Sequence, residues 1–159
     1  MRLRRSVLVA GVAMAAISLA PATAAPGYGD EPPADDISTY PLAEGDYTNF
    51  GSSYFYWVFF MTPDGWNCGM APNGGPVGCD AVPSDAPAGT NQVVVDAANP
   101  AAYRHSDSPL FTREFPVLPA GRRVQTRGAA CAVDYDGAVH CQTEGNHGFI
   151  VSAESGVLW

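Results

Sequence analysis

The chain has 159 residues, with 16 Asp and Glu against 8 Arg, no Lys, and a net charge of −8 near pH 7. An acidic surface repels phosphate backbones and anionic lipid, so this balance argues against a nucleic-acid partner; its plainest role is solubility. The length allows one compact domain with a real hydrophobic core.

The N-terminus reads MRLRRSVLVAGVAMAAISLAPATAAPG. Arg2, Arg4 and Arg5 give a basic start, and an uncharged, mostly apolar run follows from Ser6 to Ala20. That run is shorter than the roughly 20 residues a membrane span needs. Pro21 ends it, and Ala22-Thr23-Ala24 supplies a small-x-small cleavage site. The pattern predicts a secretory signal peptide over residues 1–24, cleaved near Ala25, rather than an uncleaved anchor. No stable membrane span then remains, and the expected location is extracellular or in the cell envelope. Loss of the three leader arginines takes the net charge from −8 to −11.

Residues 25–46 are rich in Pro, Gly, Asp and Glu, without a basic residue. They bury too little to offset their ordering entropy and read as a flexible acidic tail. A single β-rich domain is expected over 47–159, with Tyr47 and Phe50 lying against it. Tyr54 to Phe60 are all aromatic or β-branched, which predicts a strand. Both of its faces are apolar. They are either covered on both sides as core or form an aromatic ribbon facing lipid or glycan; core is the reading taken.

Strand-like runs then recur between turn signals: GWNCGM, PVGCDAV, NQVVVDA, RRVQTR, AACAVDY, GAVHCQT and HGFIVSA. The stretch DAANPAAYRHSDS has room for one helical turn, limited by Pro100. Short strands at this spacing predict an all-β fold, a small antiparallel sandwich or barrel.

An exported chain with the four cysteines Cys68, Cys79, Cys131 and Cys141 predicts disulfides, with no CxxC pair to chelate zinc or run redox chemistry. A three-residue loop Tyr135-Asp136-Gly137 sets Cys131 opposite Cys141. A four-residue loop Pro72-Asn73-Gly74-Gly75 sets Cys68 opposite Cys79. Opposed residues sit within disulfide reach, so the expected pairs are Cys68–Cys79 and Cys131–Cys141; two other connectivities stay open. Both hairpins end in Gly-x-Val-x-Cys, from an internal repeat or from two independent solutions.

The chain resembles a group of small exported proteins from actinobacteria. The resemblance rests on Phe60-Met61-Thr62-Pro63-Asp64-Gly65 leading to Cys68, on Leu118-Pro119-Ala120-Gly121, and on an ending of Cys131, Gly137-Ala138-Val139-His140-Cys141 and Asn146-His147-Gly148-Phe149-Ile150-Val151-Ser152. Asn146 stands where the pattern has Gly, and Ala138 is inserted between Gly and Val. Over residues 58–159 the resemblance implies export and disulfides; it carries over no activity.

His147, Ser152 and Glu144 are residue types of a hydrolytic triad. On a strand, however, His147 and Ser152 would face opposite sides, and no Gly-x-Ser-x-Gly elbow is present. His147 therefore reads as a turn residue, with His140 and His105 weaker still. Asp134-x-Asp136-Gly137 reads as turn chemistry rather than a Ca²⁺ loop. Arg122, Arg123 and Arg127 read as one exposed strand face that either grips an anionic polymer or pairs with nearby acids; pairing is the reading taken. No catalytic, metal or cofactor residue is assigned and no cofactor is expected. The sequence points to a secreted, non-catalytic binding or envelope-associated module with an extracellular or cell-envelope ligand. The alternative is a small extracellular hydrolase using His147.

Overall fold

The structure, a computed structural model, describes residues 36–52 and 55–159. The predicted signal peptide, Tyr54 and the first part of the predicted tail lie outside the described residues. The fold is all-β: two antiparallel sheets and one turn of 3₁₀ helix, Ile37–Thr39. The first sheet runs in simple order through β1 (Thr48–Ser52), β2 (Phe55–Met61), β3 (Asn67–Met70), β4 (Val77–Cys79), β5 (Gln92–Val95) and β6 (Ala102–Arg104). The second runs through β7 (Arg122–Thr126), β8 (Ala129–Val133), β9 (Val139–Thr143), β10 (Gly148–Val151) and β11 (Gly156–Leu158).

Alternate residues of each strand meet between the sheets. Val58, Phe60, Met70, Val77, Val93 and Val95 from the first sheet pack with Val124, Val133, Val139, Phe149 and Val151 from the second in one buried cluster. A β-strand turns successive side chains to opposite faces, so two alternating meanders stacked face to face bury one apolar layer between them.

Both disulfides lie in that layer. Cys68 pairs with Cys79 and Cys131 with Cys141, with no exposed area on any of the four. The hairpin registers are those the loops dictate: Cys68 opposite Cys79, and Cys131 opposite Cys141. Asn73 and Gly74 both take positive φ, 58° and 74°, which a tight turn of this hand requires. Gly137 takes φ 93° and donates its N–H to the Asp134 carbonyl.

The repeated Gly-x-Val-x-Cys motif extends to the architecture. In both β2–β6 and β7–β11 the staple joins the second and third strands of a five-strand meander. The row of directly paired residues through the first staple is Phe60, Cys68, Cys79, Val93 and Tyr103. Through the second it is Val124, Cys131, Cys141, Phe149 and Leu158. Val77 and Val139 take equivalent places beside them, each two residues before the second cysteine.

Both open sides of the sandwich are sealed. On one side, residues 41–43 bond to Arg123 of β7, and the chain then crosses to β2, where the Phe59 N–H donates to the Tyr47 carbonyl. On the other, the Ala101 N–H donates to the Trp159 carbonyl, and the Tyr103 hydroxyl lies against Gly156.

The N-terminal segment corrects the sequence reading. Residues 36–46, assigned to the tail by composition, lie on the domain. Ile37 is buried against β8 and β9, Asp36 caps the 3₁₀ turn by accepting from the Ser38 N–H, and residues 41–43 pair with β7. Backbone pairing to a sheet edge needs no apolar side-chain pattern, which is why composition missed it. The stretch from Asp96 to Pro100 holds an Asx turn and no helical turn: the Asp96 carboxylate accepts from the N–H groups of Ala98 and Asn99.

Candidate functional site

The link from β6 to β7 has a topological task. β6 lies at one edge of the first sheet, while β7 lies against β2 near the opposite edge. Residues 105–121 must therefore traverse the molecule, and they do so as a strap over the outer face of the first sheet. Directly paired glycines, Gly69 on β3 and Gly78 on β4, leave this face open, Gly78 to Phe111 of the strap and Gly69 to the ring of Phe59 on β2. A Cβ at Gly78 would come within 2.8 Å of the Phe111 ring, and one at Gly69 within 2.6 Å of the Phe59 ring. A glycine inside a strand commonly marks such close approach.

Asp80, immediately after β4, ties the strap down. Its carboxylate accepts from the backbone N–H groups of Leu110 (3.1 Å), Phe111 (2.7 Å) and Thr112 (2.6 Å), and from the Thr112 hydroxyl (2.7 Å). It also accepts from Nε2 of the buried Gln92, whose Oε1 takes the Arg104 guanidinium at 2.9 Å. Beyond this knot the strap reaches the aromatic strand. Phe115 packs on Phe59 with centroids 5.4 Å apart, and Trp57 stacks on the same ring at 5.4 Å. The Arg113 guanidinium sits 5.5 Å from the Phe59 centroid, a cation–π contact worth about 0.5–1 kcal/mol at an exposed site. The strap ends by pairing with β2, the Met61 N–H donating to Pro116 and the Leu118 N–H to Met61.

Between strap and sheet lies an open cavity of about 540 Å³, lined by Met61 and Asn67 on one side and residues 112–116 on the other. Its size is that of a small-molecule site. The lining surface is mostly apolar, with Asn67, Thr112, Arg113 and Glu114 as polar residues at its wall. The aromatic strand thus serves two purposes: Val58 and Phe60 face the core, while Trp57 and Phe59 build the platform beside the cavity.

The sequence-derived candidates stand elsewhere. His147 lies in the turn before β10 and Ser152 just after it, so a whole strand separates them, roughly 16 Å for five residues. The Ser152 hydroxyl is used locally, donating to the Ser155 carbonyl and accepting from the N–H groups of Glu154 and Ser155. Glu144 is exposed, and its N–H donates to the Gly128 carbonyl. His140 is buried on β9 with its ring edge-on to Trp159 at 5.9 Å. His105 is exposed between the Gly89 carbonyl and Asp107. Asp136 accepts from the Ala138 N–H inside its own hairpin turn.

The arginine reading needs correction. Arg122 and Arg123 are adjacent on β7 and so lie on opposite faces, and Arg123 bonds the Tyr40 carbonyl and Gln125 rather than an acid. The residues that build the cavity escaped sequence reasoning, because a strap position has no periodicity to reveal it. The available signal was the glycine next to each of Cys68 and Cys79.

In comparisons with known proteins, the chain matches no protein-family profile, no curated protein and no solved structure at a significant level.

Proposed function

We propose that this disulfide-stapled β-domain is a non-catalytic binding module that works outside the cytoplasm or in the cell envelope, with the strap cavity as its ligand site. The cavity itself carries the reading: an open, mostly apolar space of about 540 Å³, beside an aromatic platform, with one cation and one anion in its lining. Two internal disulfides suit an oxidising compartment, which supports export. The hydrolase alternative draws no support from the positions of His147 and Ser152 at opposite ends of β10.

The test uses N-phenyl-1-naphthylamine, a neutral apolar fluorophore that brightens when it leaves water. Saturable binding that weakens at least tenfold in Phe115→Ser supports the reading. Absence of saturable binding, or binding indifferent to that change, refutes it.

A further inference from the structure

The charges lining the cavity point to the class of ligand, on the premise that the cavity is the binding site. Arg113 and Glu114 are consecutive, both are exposed, and both line the same space. Among the described residues the one side-chain ion pair is His105 with Asp107, so no described side chain neutralises Arg113 or Glu114. The Arg113 guanidinium is held in place: it lies over Phe59 and donates one N–H to the Thr112 carbonyl at 2.6 Å, leaving further donors for a ligand. Thr112 is in turn fixed by Asp80 through its N–H and its hydroxyl, so the two charges are presented by an anchored backbone.

We propose that the cavity selects a zwitterion joined to an apolar body: a carboxylate or phosphate group meeting Arg113, an ammonium group meeting Glu114, and an apolar body against Met61, Phe115 and Pro116. A ligand carrying only an anion would pair with Arg113 but stand beside the Glu114 carboxylate. A ligand carrying only a cation would meet the opposite conflict at Arg113. A zwitterion alone answers both charges, and like-charge juxtaposition is how a site rejects the others. Amino acids with apolar side chains and zwitterionic lipid headgroups share this chemistry.

The experiment displaces N-phenyl-1-naphthylamine from the intact, oxidised protein with L-phenylalanine, phenylacetate and phenethylamine, which share one phenyl body and differ in charge. Dihexanoylphosphatidylcholine below its micelle concentration forms a fourth arm. The expected result is that a zwitterion displaces the probe at least tenfold more effectively than either singly charged analogue. L-phenylalanine ahead assigns the amino-acid source, and the phosphatidylcholine ahead assigns the headgroup. Glu114→Gln should abolish the preference over phenylacetate, and Arg113→Gln the preference over phenethylamine, with unchanged circular dichroism. Displacement by phenylacetate or phenethylamine at the zwitterion's concentration would overturn the proposal. So would a protein that binds the neutral probe but releases it to neither zwitterion, and in that case the cavity would still stand as a binding site. Failure to bind the neutral probe at all would sink both.

Discussion

Replacing Asp80 by Ala removes one carboxylate and strands five donors. Three are backbone N–H groups of the strap, one is the Thr112 hydroxyl and one is Nε2 of Gln92. They are not equal in cost. Gln92 is only 1% exposed, so its amide would be left buried without its acceptor, a loss of about 1–3 kcal/mol. Thr112 is exposed and Leu110 half-buried, so water can replace the carboxylate there, and each such bond falls at or below the low end of the about 1.5–3 kcal/mol typical of bonds to a charged group. Because the five share one acceptor they do not add, and a total of about 2–4 kcal/mol is expected. That is a sizeable part of the roughly 5–15 kcal/mol that holds a typical domain. Urea unfolding of the oxidised protein should show the loss as a lower midpoint with unchanged slope. Hydrogen exchange should accelerate first at residues 110–112, with the β8–β9 hairpin still protected, because the damage is confined to the strap. A loss under about 0.5 kcal/mol, or exchange that rises evenly across both sheets, would refute the claim that Asp80 anchors the strap.

Each disulfide closes a short loop, with separations of 11 and 10 residues, and chain entropy assigns about 3 kcal/mol to each. Both lie in one core cluster, so a Cys68→Ala/Cys79→Ala and Cys131→Ala/Cys141→Ala cycle should show coupling of about 0.5 kcal/mol or more rather than additivity. Gly78→Ala should cost at least about 3 kcal/mol or prevent folding, since its Cβ would sit 2.1 Å from the Val93 carbonyl; thermal unfolding measures it. Desolvation pushes the Asp96 carboxyl up, but the N–H groups of Ala98 and Asn99 together outweigh it, and the group titrates below the usual carboxylate range. Its folded value is thus depressed: the stability it contributes is present above the unfolded value of about 3.9 and is lost as pH falls through the lower folded value. Asp96→Asn should flatten that acid limb slightly in pH-dependent unfolding, and an unchanged limb would contradict the assignment.

Of the eleven strands among the described residues, seven were legible from short apolar runs between turn residues, and the aromatic strand, also legible, extends from Phe55 to Met61. Both disulfides followed from counting residues back from the hairpin turns, because loop length fixes register. The strands without such a run were missed. β1 reads Thr-Asn-Phe-Gly-Ser, with Phe50 its one large apolar residue, β6 is three residues with an Arg, and β11 is a three-residue edge. They form because a neighbouring strand offers unpaired N–H and C=O groups, a property of the assembled sheet. The cavity was hidden for a related reason. Met61 and Asn67 face each other across β2 and β3, while Arg113 and Phe115 arrive from more than forty residues away along a strap with no repeat. What the sequence did carry was Gly69 and Gly78, each beside a cysteine, where any side chain would clash with the Phe59 ring lying over β3 and would keep the strap's Phe111 off the sheet.

Amide chemical-shift mapping of N-phenyl-1-naphthylamine on ¹⁵N-labelled, oxidised protein decides most directly whether ligands bind under the strap. The expected result is a compact set of shifts at Met61, Asn67 and the non-proline residues of 112–116, fading across Gly69 and Gly78. Shifts gathered instead around His147, Asp96 and Asn73, or around Tyr40 and Tyr135, would place binding elsewhere and contradict the assignment of the cavity.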